Sequence, residues 1–393
     1  MAAWEALGRP LRLGFVGGAA PSAIGPAHLV AARMDGRFAV LAGCFSRDAG
    51  KAGAAAAAFG VVPARAYPTV GAMIAGEAGR PDGIEAVAIV TPNDTHHAFA
   101  SAAMEAGLHV MLDKPVANST AEAEDLLGLA RRQGTVLRLA HAYAGYPMLR
   151  EARALVEAGR IGALRAVQVE YLGGGLAGAV EALPDARARW RLDPARSGPS
   201  LVLGDIGTHA HHLACFVAGE GFAAVSAEVG TLQPGRAVHD YAQLRFRLAG
   251  GARGTMTLCQ AAAGAENDIQ LRLLGSEGQL LWTHARHNEL VLAPLDGFRT
   301  ILPRGHPRLS AAATRAARFR RTGHYEGLHE AFANLYLDFA EAVAARVLGI
   351  APDPLAMEAP DGTAGLEGMR FVAACLDSAA RDGAWVAMPS GSG

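Results

Sequence analysis

The chain has 393 residues with a formal net charge of −1; 51% of them are hydrophobic and 19% charged. One hydrophobic core seldom serves that length, so two domains are expected, and the near-neutral balance removes any electrostatic case for binding nucleic acid or a membrane surface. Four cysteines (Cys44, Cys215, Cys259 and Cys375) lie far apart with no Cys-x-x-Cys pair, which argues against a zinc knuckle or a disulfide framework and for a reducing compartment. The first residues show no basic segment followed by an apolar one, and no apolar run approaches the roughly 18 residues of a membrane span, so the chain reads as cytoplasmic.

In chain order, Arg12–Gly17, Ala39–Phe45, Glu85–Thr91 and Leu108–Leu112 are short apolar blocks bounded by turn residues, as suits parallel strands buried on both faces. Helical stretches lie between them, at Ala49–Phe59 and at Thr95–Ala106, the latter stopped by Gly107. Ser119-Thr-Ala-Glu122 reads as a capping box that opens a helix ending near Gly134. This alternation predicts a doubly wound α/β domain over residues 1–142.

Beyond it the period changes to two. Val167, Val169 and Tyr171 alternate with Gln168 and Glu170; Ala242, Leu244, Phe246 and Leu248 alternate with polar residues, as do Ile269, Leu271 and Leu273. Such alternation marks an antiparallel sheet with one covered face, so residues 143–393 are expected to form an α+β domain with a large, open, mainly antiparallel sheet. Helical patterns near Tyr325–Arg346 and Thr363–Ala380 close the chain. The Pro/Gly/Arg-rich stretch 300–323 reads as a loop whose arginines (Arg315, Arg318, Arg320, Arg321) are solvated, or else form a lid over an anionic substrate.

Two features point to a dinucleotide. The first strand runs into Gly14, Gly17, Gly18 and, past Ile24, Gly25; glycines there let the backbone turn tightly against a pyrophosphate, whose charge is met by helix N-terminal amides. The spacing is longer before the last glycine than in the usual GxGxxG. The second strand ends at Ser46-Arg47, where NAD-specific folds usually carry an acidic residue and where an arginine can accept a 2′-phosphate; NAD and NADP both remain open.

Further motifs follow in order: Thr91-Pro92-Asn93-Asp94-Thr95-His96, then Asp113-Lys114-Pro115, then Gly204-Asp205-Ile206-Gly207-Thr208-His209. With the glycine turn, this set resembles the glucose–fructose oxidoreductase / inositol dehydrogenase / rhizopine-catabolism (Gfo/Idh/MocA) family over nearly the whole chain. The segments from Tyr146, Trp190 and Glu330 look like its sugar-oxidising branch, which includes levoglucosan dehydrogenase. The resemblance implies a Rossmann domain that binds the nicotinamide cofactor through Gly17, Gly18, Ile24, Gly25, Ser46, Arg47, Thr91, Pro92, Asn93, His96, Asp113 and Lys114. It also implies a second domain whose sheet carries the substrate pocket and builds a homodimer or tetramer. The family's lysine, aspartate and histidine fall on Lys114, Asp205 and His209. Two departures stand out: Asp113 replaces the commoner glutamate, and His212 stands where some relatives carry an acidic residue.

Oxidising a secondary alcohol requires a proton to leave oxygen as hydride leaves carbon, and a neutral imidazole suits that proton near pH 7. His209 is therefore the expected acid/base. Asp205, four residues earlier, would share its helical face and fix the imidazole or bind a neighbouring hydroxyl. Lys114, just past a parallel strand, would polarise the substrate oxygen. His141, Tyr143, Trp190 and Arg191 are candidate substrate contacts, with packing as the alternative for Tyr143 and Trp190. His96 either touches the pocket or merely starts a helix beside a surface His97. The run His209-x-His211-His212 has no further ligands at fitting spacing, so no metal is expected. The expected substrate is a sugar, glycoside, anhydrosugar or inositol. A non-catalytic dinucleotide-sensing regulator and a transient-oxidation lyase or isomerase with tightly bound cofactor are the alternatives.

Overall fold

The computed structural model describes residues 2–182 and 190–388. By its contacts the chain divides into two compact units, Met1–Gly145 with Leu328–Leu366, and Tyr146–Gly327 with Glu367–Gly393. The sequence pattern assigns everything past residue 142 to the second domain. Residues 328–366 instead count with the first, because the apolar face of their long helix packs there.

In the first unit, β1 (Leu11–Gly17), β2 (Phe38–Cys44), β3 (Ala86–Val90), β4 (His109–Leu112) and β5 (Leu137–Leu139) form an all-parallel sheet of order β2-β1-β3-β4-β5. β3 and β4 are buried at every residue, which is why they read as unbroken apolar runs. Beyond β2 the next strand is cut to a single parallel bridge between Gly43 and Ala66, with the Tyr67 amide donating to the Gly43 carbonyl at 2.8 Å. The helix Leu328–Leu348 closes one side. Its Phe339 stacks on Phe38 at 5.6 Å, and Tyr336 Oη lies 2.9 Å from His28 Nδ1. Its buried Glu341 accepts from the amides of Ala3, Trp4 and Asp353. The expected cap at Ser119 is present: its hydroxyl accepts from the Glu122 amide at 3.2 Å, while Glu122 Oε2 accepts from the Asn118 amide.

In the second unit, β6 (Leu164–Gly173), β7 (Phe222–Gly230), β8 (Tyr241–Leu248), β9 (Arg253–Cys259), β10 (Asn267–Gly275), β11 (Gly278–Thr283), β12 (Glu289–Pro294), β13 (Thr300–Pro303) and β14 (Val386–Ala387) build a nine-stranded sheet. Its order is β13-β12-β11-β10-β6-β9-β8-β7-β14, and among the described residues only β6 and β9 pair in parallel. The register lines up Leu271, Val169, Met256 and Leu244 across four strands on the covered face. Gln168, Glu170, Gln243 and Arg245 face outward. The covered face includes Phe222 stacked on Phe246 at 4.0 Å.

The stretch 300–323 is not simply a loop. It contains the edge strand β13 and a helix, Ala311–Ala316, capped by Ser310 and burying Ala312, Ala313 and Ala316. Its two prolines and Gly305 fall within 303–307, its second glycine is the last residue, Gly323, and an edge strand tolerates the terminal Pro303.

Candidate active site

The candidate residues of the first unit collect at the carboxyl ends of its strands, where sheets of this kind bind ligands. Gly17 and Gly18 end β1 with φ of +86° and +88°. A Cβ on Gly17 would stand 2.6 Å from Thr91 Cγ2, and one on Gly25 would run into the Gly18 backbone. The helix beginning at Ile24 thus enters in direct contact with the turn, and its N-cap residue Ala23 makes no side-chain cap bond. The long spacing before Gly25 is taken up by a loop in which Ser22 Oγ accepts from the Gly25 amide at 3.1 Å. A dinucleotide pyrophosphate fits this cradle, since no side chain intrudes at any of the three glycines.

At the tip of β2, Ser46 Oγ accepts from the Asp48 amide at 3.1 Å and Arg47 is exposed. Asp48, the nearest carboxylate in sequence, caps the following helix by accepting from the Lys51 amide. After β3, Thr95 Oγ1 lies 2.7 Å from both Thr91 Oγ1 and the Pro92 carbonyl, and Asn93 is buried beside them.

His96 does not face solvent. It is fully buried, with Nδ1 2.7 Å from the Pro115 carbonyl and Nε2 2.9 Å from the Thr91 carbonyl. It therefore sits between the loop after β3 and the Lys114-Pro115 loop after β4, and as a neutral ring donates to one of the two carbonyls. Burial pushes this imidazole below its ordinary range, against the pull of Asp113 and the two carbonyls. His97 is part-exposed and bonds Asp125 at 2.9 Å.

Asp113 has a partner that the sequence did not reveal: His28 Nε2 lies 3.9 Å from its Oδ1, while the other ring nitrogen of His28 meets Tyr336. Burial works to raise the Asp113 carboxyl, but His28 and the neighbouring Lys114 outweigh it and hold the group down at about 2. Asp113 is a fixed anion beside Lys114, and shortening Glu to Asp keeps that charge in place. His141 and Tyr143, both expected near the substrate, are buried in this unit.

In the second unit, Asp205 and His209 sit where the helical chain changes pitch. Leu203–Gly207 is a π-helical turn that runs directly into the α-helix Thr208–Ala218. Such wide turns shift the side-chain register and recur at functional sites. The expected plain α-helical face for the pair is thus replaced by a π-to-α junction, stabilised by Thr208 Oγ1 donating to the Gly204 carbonyl at 2.8 Å. Arg191 stacks over Trp190 at 4.5 Å and places Nε 4.0 Å from Asp205 Oδ2. Of the two candidate contacts in that segment, Arg191 is therefore the one near Asp205.

The other two histidines of the run turn elsewhere. His211 stacks on Phe371 at 4.7 Å and lies edge-on to Phe222, and burial lowers its pKa to about 3. His212 stacks on Phe216, and burial with the nearby Arg153 lowers it to about 4. Among the described residues no cluster of three or more His, Cys, Asp or Glu could hold a metal, and all four cysteines are free. No helix there is long and apolar enough to cross a membrane.

Sequence reasoning missed Gln260, whose Nε2 donates to Asp205 Oδ2 at 2.8 Å. Its only signal was a polar residue just past an alternating strand.

Residues 11–141 match the model of an oxidoreductase family with an NAD-binding Rossmann fold, and residues 149–281 match the GFO/IDH/MocA C-terminal domain. The uncharacterized oxidoreductase YfiI of Bacillus subtilis (strain 168) is 34% identical over 386 residues, 97% of either chain. An inositol dehydrogenase homolog from Azotobacter vinelandii, solved with NADH and myo-inositol, superposes with a TM-score of 0.89 at 36% identity, covering 96% of this chain and 98% of that one. Levoglucosan dehydrogenase in complex with NADH and levoglucosan superposes with a TM-score of 0.81 at 25% identity, covering 97% of this chain and 100% of that one.

Proposed function

Because the chain belongs to the GFO/IDH/MocA family of oxidoreductases with an NAD-binding Rossmann fold, we propose that it is a dehydrogenase for secondary hydroxyls of cyclic polyols. Its substrate is a sugar, glycoside, anhydrosugar or inositol. The observation that carries this reading is the Asp205–His209 junction, in a chain whose solved relatives hold NADH with myo-inositol or levoglucosan.

The glycine cradle and the loops after β2, β3 and β4 would hold the dinucleotide, whose nicotinamide would supply the hydride acceptor or donor. His209 takes the hydroxyl proton in the oxidative direction and returns it in the reductive one. Lys114 polarises the reacting oxygen, its ammonium steadied by the Asp113 charge. Asp205 accepts a hydrogen bond from a neighbouring hydroxyl. No carboxylate occupies the tip of β2 at Ser46-Arg47, which supports NADP as a cofactor alongside NAD. The outward face of the nine-stranded sheet serves dimer or tetramer formation, and the enzyme works in the cytoplasm. A dinucleotide sensor has no use for a proton-transfer set, so that alternative ranks second.

The test is absorbance at 340 nm with NAD⁺ or NADP⁺ against a panel of inositols, aldoses, glycosides and anhydrosugars. Turnover of one polyol class is expected, with Lys114→Ala and His209→Ala each losing about a thousandfold in kcat while cofactor binding stays near wild type. Cofactor binding without turnover of any polyol points instead to the sensor or the transient-oxidation cycle. Undiminished turnover in both variants sinks the mechanism.

A further inference from the structure

We infer that Gln260 is a positioning residue for substrate recognition: it holds Asp205 as an ionised acceptor, oriented to receive a substrate hydroxyl. The inference rests on the proposed placement of Asp205 at the substrate.

Gln260 follows the last residue of β9, and its main chain is pinned on both sides. Its amide donates to the Asp240 carbonyl at 2.9 Å, and its carbonyl accepts from the Leu176 amide at 3.1 Å. The residue is 8% exposed. Its Nε2 donates to Asp205 Oδ2 at 2.8 Å, the pairing that a carboxylate, which only accepts hydrogen bonds, requires. Oε1 is thereby turned into the interior, where it has no hydrogen-bond partner among the described residues. An apolar side chain would fill the same space without burying an unsatisfied acceptor, so packing alone does not account for a glutamine here.

The bond to Asp205 is the end of a rigid series. Asp240 is fully buried and accepts from the Leu232 and Gln233 amides and from Arg236. Arg236 in turn donates to Glu181 and to the carbonyls of Leu176 and Gly178. The residues around Gln260 are therefore held by several hydrogen bonds, and the amide reaches Asp205 from that base. Arg191 approaches the same oxygen, Oδ2, at 4.0 Å. A donor amide and a nearby guanidinium both favour the charged carboxylate over the protonated acid. A protonated Asp205 could donate to a substrate oxygen; the ionised form only accepts. Gln260 thus selects a hydroxyl over an ether or carbonyl oxygen at that position of the ring.

The test compares Gln260→Glu, Gln260→Met and Asp205→Asn in the full-length enzyme, with the polyol that turns over in the 340 nm screen. In Gln260→Glu two carboxyl groups must share a proton, so the acid limb of the kcat/KM profile is expected to move up by about one pH unit or more. Gln260→Met is expected to lose roughly ten- to a hundredfold in kcat/KM, mostly as a higher polyol KM, with the cofactor KM unchanged. Gln260→Glu keeps the shape of the side chain and remains informative if the methionine variant misfolds. A Gln260→Glu profile that superimposes on wild type, or a Gln260→Met enzyme within about twofold of wild type, overturns the inference while a crippled Asp205→Asn leaves the substrate site standing. Full activity in Asp205→Asn overturns the underlying placement of Asp205 instead.

Discussion

Replacing His211 by phenylalanine tests whether this member of the three clustered histidines is a core residue. His211 packs its ring against Phe371 and Phe222, and burial holds its pKa at about 3. In the unfolded chain the same group titrates near about 6.5. Between these values the unfolded state binds a proton that the folded state refuses. Neutral His211 therefore contributes its full stability above about pH 6.5 and loses it as the pH falls toward 3. At pH 5 the unfolded state gains about 2 kcal/mol by this route, which phenylalanine abolishes while keeping the ring. For a unit of roughly 200 residues, that corresponds to about 4–8 °C in Tm. Thermal melts of parent and variant without ligand, at pH 7.5 and pH 5, should show the variant's advantage widening by that amount at the lower pH. His109 and His212, both held at about 4, titrate alike in the two proteins and cancel. A difference in Tm that is constant with pH refutes the reasoning and returns His211 to solvent or to a ligand.

The cofactor half of the site makes two further claims. Gly25→Ala drives a Cβ into the Gly18 backbone, so it should weaken NADH binding at least about tenfold in a fluorescence titration, and near-normal affinity would remove the cradle. Ser46→Asp places a carboxylate where a 2′-phosphate would lie and should cut the NADP⁺ to NAD⁺ ratio of kcat/KM by more than about tenfold. An unchanged ratio would show that the tip of β2 does not read the ribose.

Much of this molecule is written in local pattern. The alternation at 167–171, 242–248 and 269–273 marks β6, β8 and β10 because a sheet with one covered face imposes a period of two. The apolar runs that became β3 and β4, and the glycines around the first turn, are legible for equally local reasons. What a helix packs against is not local: the pattern near 325–346 announces a helix, but nothing in it names Phe38 and His28 as its partners. The π-helical turn at Leu203–Gly207 is not written in any local pattern, so a plain helical reading of GDIGTH gives the wrong pitch. His211 belongs to a run that looks like chemistry yet lies among phenylalanines that are distant in sequence. Gln260 is invisible because a single polar residue after a strand has no distinguishing neighbours.

The return of residues 328–366 to the first unit also bears on how the protein is made. A ribosome releases the whole nucleotide-binding sheet before residue 140, but the helix that covers Phe38 emerges only after the nine-stranded sheet is nearly complete. The unit begun first is therefore finished among the last, and its apolar flank waits for partners through most of translation. Any attempt to graft this cofactor domain onto another scaffold needs two seams, one at each end of the inserted segment. A chain stopped at residue 145 would carry the glycine cradle without the helix that supports the core beneath it.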